Sequence, residues 1–80
     1  MNRPSDDPEG AELTATLEEW CNANGHRVRF GMVDTVAAAA ILERAVGTLK
    51  NWARVGAGPP GRRGGYRLVD LADFLLAERE

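Results

Sequence analysis

From Asp34 to Leu68 the chain reads D-T-V-A-A-A-A-I-L-E-R-A-V-G-T-L-K-N-W-A-R-V-G-A-G-P-P-G-R-R-G-G-Y-R-L, and no other stretch restricts the fold as much. Asp34 is a good helix N-cap, because its carboxylate can accept from the free N–H groups of a first turn. Val36, Ala37, Ala40 and Ile41 then form an apolar stripe, and the small side chains from Ala37 to Ala40 admit a close neighbour. The pattern pauses at Glu43-Arg44-Ala45 and resumes at Val46, Leu49, Trp52 and Ala53. Two apolar faces separated by about three turn residues predict two helices packed at a steep angle.

The segment Gly56-Ala57-Gly58-Pro59-Pro60-Gly61 cannot continue a helix, since proline removes backbone donors and glycine permits turns. Arg62-Arg63-Gly64-Gly65 follows, with the Gly-Gly pair suited to a hairpin tip and Tyr66 to Val69 suited to a returning strand. Asp70 is placed to cap a final helix carrying Leu71, Phe74 and Leu75 at spacings of three and four.

Upstream, residues 1–10 are expected to form a disordered tail, polar and without periodicity. From Ala11 the apolar residues Leu13, Leu17, Trp20 and Cys21 mark one face of a helix that ends at Asn24-Gly25. His26 to Phe30 alternates polar and apolar, which predicts a short strand with Val28 and Phe30 toward the core. Five residues cannot stand alone as a strand, so the 58–67 hairpin is its expected partner. Trp20 and Trp52 fall at core positions, and Cys21 is expected to be buried and inert.

Eighty residues hold one small domain, 11–80, which buries only about 60% of its unfolded surface. One cysteine cannot form an intramolecular disulfide, and no Cys/His cluster has zinc spacing, so neither a metal nor a cofactor is expected. The chain has no signal-peptide core and no apolar run of membrane-spanning length, and a cytoplasmic location is expected. The glycine-rich segment lacks the GK[ST] ending of a phosphate loop. No carboxylate pair is matched to a nucleophile, and an enzyme is not expected.

The net charge of -2 conceals an asymmetry. Residues 1–25 carry one basic side chain against six acidic ones, residues 26–67 carry eight against two, and residues 68–80 carry one against four. Binding responds to the local field, felt over roughly 8–10 Å at ordinary salt, rather than to the total. The helix of about 46–55 concentrates the effect. Opposite its apolar side lie Gly47, Lys50, Asn51 and Arg54, with Thr48 on the flank and Arg44 just before it. Arg and Lys reach guanine acceptors or phosphates, Asn pairs with adenine, and Thr contacts backbone or base. A solvated helix face is the ordinary alternative. Arg62 and Arg63 between glycines favour a phosphate or minor-groove contact, with Arg67 along the same strand edge.

Residues 33–75 resemble the small excisionase-like and MerR-like winged helix-turn-helix proteins of phages and mobile elements. The shared features are V-D-T-V-A-A-A-A-I-L, V-G-T-L-K-N-W, the G-x-x-P-P turn, R-R-G-G-Y-R-L and the closing L-x-D-F-L helix. The resemblance implies an α+β winged helix-turn-helix, here extended by an N-terminal helix and a short strand. It implies a recognition helix in the major groove, carrying Thr48, Lys50, Asn51 and Arg54, and a wing carrying Arg62 and Arg63. The turn departs from the family's pattern of glycine, an apolar residue and a serine or threonine cap; Glu43, Arg44 and Ala45 stand there instead. Losing the cap costs about 1 kcal/mol, and Arg44 is expected to compensate as a phosphate ligand.

The expected function is sequence-specific binding of double-stranded DNA, as an excisionase-like architectural factor or a small transcription regulator. Six to eight basic residues would neutralise phosphates, giving a steep salt dependence. So small a module calls for cooperative neighbours or a homodimer. The alternatives are a protein-interaction adaptor that keeps the fold without binding DNA, and the DNA-binding domain of a small terminase-like packaging subunit.

Overall fold

The computed structural model describes residues 8–62 and 65–78, with Arg62 through its backbone alone. The elements are α1 (Pro8–Ala23), β1 (Met32–Val33), α2 (Thr35–Leu42), α3 (Val46–Val55), β2 (Gly61–Arg62), β3 (Gly65–Arg67) and α4 (Leu68–Glu78). The class is α+β, with the three short strands in the antiparallel order β1-β3-β2.

Helix α1 starts earlier than the tail boundary at residue 10 predicts. Pro8 to Gly10 are helical and Gly10 is buried; residues 1–7 of the expected tail lie outside the described residues. Proline suits a first turn because its missing N–H would have no intrahelical partner there. The Thr14 hydroxyl also donates to the Gly10 carbonyl at 2.9 Å. Leu17 and Cys21 are buried, and α1 packs chiefly on α4. Trp20, expected in the core, is 38% exposed and stacks on His26 with ring centroids 5.4 Å apart. Its position on the helix wheel is at the edge of the buried face, where a flat ring finds a neighbour without being enclosed.

The strand predicted over 26–30 is displaced. Pairing begins at Met32, opposite Arg67, with Val33 opposite Tyr66. Its partner is indeed the hairpin, but Arg29 and Met32 close a two-residue turn whose centre is Phe30-Gly31. Val28 still packs against the core, whereas Phe30 points fully into solvent. Alternation alone does not register that glycine at 31 reverses the chain immediately.

Asp34 caps α2 as expected, its carboxylate accepting from the Ala37 amide at 2.8 Å. Of the predicted stripe, Ala37 is buried and Ile41 packs against the core, but Val36 is 57% exposed and Ala40 is exposed; Ala38, Ala39 and Leu42 complete the buried face. The helix is almost wholly apolar and meets α3, α4 and β3, so its pattern alone gives no direction to the buried face. Glu43 takes the left-handed conformation (φ 56°) that ends α2, and the Arg44 amide donates back to the Ala39 carbonyl.

Gly65 joins β3 to β1 at a distance no other residue tolerates. Its φ is 148°, and a Cβ there would collide with the Val33 carbonyl. In α4 the first residue is Leu68, so Asp70 sits within the first turn instead of capping it. Its carboxylate is 1% exposed and holds Arg67. A negative charge in that turn faces the helix's positive end, which is favourable. Leu49, Leu68 and Leu71 are fully enclosed at the centre of the core.

Candidate nucleic-acid interface

Helix α3 spans the predicted bounds, Val46–Val55. Ala45 occupies the N-cap with no side-chain hydrogen bond, so the missing cap foreseen in the sequence is real. The Ala45 carbonyl accepts from the Thr48 and Leu49 amides at 3.0 and 3.3 Å, which starts the helix without side-chain help. At the other end Gly56 turns left-handed (φ 77°), and the Ala57 amide donates to the Trp52 carbonyl at 2.8 Å.

One side of α3 is anchored by Leu49, which has no exposure, with Val46 and Trp52 packed at the core's edge. Ala53, assigned to this side, is exposed and borders a hollow formed with 56–61 and Tyr66. Gly58 approaches Trp52 so closely that a Cβ would overlap the indole, and Trp52 meets Phe74 at 5.6 Å. The indole therefore fixes the loop after α3 and the helix α4 together.

The opposite side carries Gly47, Lys50, Asn51 and Arg54, all exposed and lining one shallow depression. Thr48 is half-buried on the flank. The Arg54 guanidinium donates from Nη2 to Asn51 Oδ1 at 2.7 Å. That bond orients both side chains and leaves the Asn51 amide N–H groups and the other Arg54 donors available. No acidic residue lies in α3.

Two predicted contacts stand elsewhere. Arg44 reaches across to α4, with Nη2 3.3 Å from Glu78 Oε2 and its guanidinium carbon 6.0 Å from the centre of the Trp52 ring. Arg67 lies over Asp70, with Nε–Oδ2 at 2.9 Å and Nη2–Oδ1 at 3.2 Å. Both arginines are thus held by carboxylates of α4, which local spacing around α3 could not reveal. Of the predicted set, the structure brings Thr48, Lys50, Asn51 and Arg54 together. The Arg62 side chain and Arg63 lie outside the described residues.

Sequence reasoning put Arg27 and Arg29 in solvent, where they are, but missed that Phe30 joins them as an exposed residue on the segment that leads into β1. The signal was present in the Phe30-Gly31 dipeptide, which reads as a tight turn once the register is known.

Among the described residues no group of three or more His, Cys, Asp or Glu is placed to hold a metal ion. No helix of the described residues is long and apolar enough to cross a membrane. The Cys21 thiol is fully buried, and burial, reinforced by the negative charges of Asp34 and Glu18, pushes its pKa up. An inert packing role follows. In comparisons with known proteins, no family, no curated protein and no solved structure matches the chain.

Proposed function

We propose that this chain is a winged helix-turn-helix protein that binds double-stranded DNA. In this reading α2 and α3 are the helix-turn-helix, α3 enters the major groove, and the β2–β3 hairpin is the wing. A small transcription regulator or an excisionase-like architectural factor is the role that fits a module of this size. The observation that carries the reading is the exposed side of α3, where Lys50, Asn51 and Arg54 are grouped without an intervening carboxylate.

The geometry refines the expected chemistry. Arg54, oriented by Asn51, suits the two acceptors of a guanine, and Lys50 suits a phosphate or guanine O6. Asn51 has committed its oxygen to Arg54, so an adenine pairing would require that bond to open first. Arg44 and Arg67 leave the ligand set, because each is paired with an acidic residue of α4. Lys50 and Arg54, with Arg62 and Arg63 of the hairpin, make four cations in place of the six named from the sequence. The logarithmic salt slope is then about -3 to -4. Affinity from one copy is modest.

A fluorescence-anisotropy titration of mixed-sequence duplex against the protein, repeated across salt, tests the reading. Arg54→Ala lowers affinity by about 1–3 kcal/mol, whereas Glu12→Ala leaves it unchanged. Absence of binding at low salt would overturn the proposal and favour an adaptor acting through its acidic helices.

A further inference from the structure

Phe30 is the most exposed large apolar side chain among the described residues, at 100% relative exposure. Its backbone has a φ of 52°, Gly31 follows at 73°, and Arg29 and Met32 exchange both backbone hydrogen bonds at 3.0 and 2.9 Å. Positive φ at both central residues is the signature of a type I′ turn, whose first position favours asparagine. A bulky aromatic there is backbone-strained, and its ring obtains no burial in return. Neither local propensity nor packing among the described residues accounts for this residue.

Its surroundings define what it could meet. Arg27 and Arg29 are exposed and make no ion pair among the described residues, so two cations precede the ring on the same segment. The pairing of Met32 with Arg67 puts this turn at the Arg67 end of β3, away from the Gly65 end that adjoins the β2–β3 connection. The knob therefore lies at the end of β3 opposite Gly65. A matching face exists on α1. Glu12, Thr16, Glu19, Trp20 and Ala23 are all exposed and, at 100° per residue, fall on one side of the helix. Two carboxylates there accompany two small side chains, each offering a methyl group, and a partly exposed indole.

We infer that the chain forms a two-fold dimer in which the Phe30 ring of each copy lies on the α1 face of the other. Phe30 packs over the Thr16 methyl, Trp20 and Ala23, while Arg27 and Arg29 oppose Glu12 and Glu19. The Trp20–His26 stack sets the receiving face beside the segment that leads into the knob. Donor and acceptor surfaces thus adjoin in one molecule, and a single two-fold axis can satisfy both contacts at once. The charges select a second copy, because the same chain supplies a cationic aromatic projection and an anionic receiver with an apolar strip. No residue of α3 takes part, so dimerisation stands or falls independently of DNA binding.

Sedimentation equilibrium of the full chain, from micromolar to submillimolar concentration at low salt, reads the association directly. The expected result is a monomer–dimer equilibrium that Phe30→Asn weakens at least tenfold, since asparagine keeps the turn and removes the ring. The doubles Arg27→Glu/Arg29→Glu and Glu12→Lys/Glu19→Lys each weaken it, and the four changes combined restore it. Arg54→Ala leaves it unaltered. A chain that stays monomeric throughout overturns the inference, as does a dimer indifferent to Phe30→Asn.

Discussion

The guanidinium of Arg67 lies across the carboxylate of Asp70 with two hydrogen bonds, at 2.9 and 3.2 Å, and the carboxylate is almost wholly buried. An arginine that closes the sheet is thereby joined to the first turn of α4, so the strand-to-helix junction is fixed by charge as well as by chain connection. The Arg67 side chain is 38% exposed, so water screens part of the attraction. Asp70 is the costlier partner to disturb. Arg67→Ala is expected to lower stability by about 2–3 kcal/mol, because it strips a buried carboxylate of this cation. For a domain of this length that is a large share of the total. Urea unfolding followed by circular dichroism measures it, and a loss under about 0.5 kcal/mol would show the pair to be ornamental.

Two glycines make a contrasting pair. Gly65→Ala must place a methyl into the Val33 carbonyl at a φ of 148°, and a loss of about 3 kcal/mol or more is expected. Gly47→Ala meets open space on a helix, so it should raise stability by about 0.5 kcal/mol. Thermal melts of the two variants should move in opposite directions. A neutral Gly65→Ala would mean that β1 and β3 do not approach as closely as described.

Much of this fold was legible because its determinants are local. Asp34 caps α2, Ala45 fails to cap α3, and the bounds of α3 follow from Val46, Leu49 and the glycine after Val55. Each depends on residues within one turn of one another. The misread features depend on partners distant in sequence or on surroundings that local pattern cannot supply. Arg44 is taken by Glu78 and Arg67 is aligned by Asp70, both on α4. The buried side of α2 is set by three neighbours at once, since T-V-A-A-A-A-I-L contains no polar face to orient it. Phe30 is the instructive case: its alternation with Val28 reads as core, but the glycine beside it turns the chain and leaves the ring in water. For the candidate site, the cluster on α3 was legible from helical periodicity, and the ion pairs of Arg44 and Arg67 with α4 were not.

Cys21 should behave as a thiol sealed in the core. It has no exposed surface, and its pKa is raised by burial first and by Asp34 and Glu18 after that. The folded chain therefore retains the thiol proton to higher pH than the unfolded chain does. Its contribution to stability is complete below the ordinary thiol range, about pH 8.5, and is lost as pH rises through the folded value. Urea midpoints measured from neutral to alkaline pH should fall more steeply for the wild type than for Cys21→Ala. Alkylation at pH 8 should be slow in buffer and complete in denaturant; rapid alkylation of the folded protein would contradict the burial.

The strain at Phe30 makes its own prediction about stability, apart from association. Phe30 occupies the first central position of a turn with positive φ at both centres, φ 52° followed by 73°. Asparagine enters the left-handed region at less cost, because its short polar side chain can hydrogen-bond to nearby backbone. No packing is forfeited, since the ring is fully exposed. Phe30→Asn is therefore expected to stabilise the monomer by about 0.5–1 kcal/mol, an unusual sign for removing a large apolar residue. Dilute thermal unfolding, below the concentration at which copies associate, checks it with Phe30→Ala as the comparison. Alanine lacks that backbone hydrogen bond, so it should gain less than asparagine. If both variants lose stability instead, the ring is packed in solution and the turn holds it for the fold's own sake.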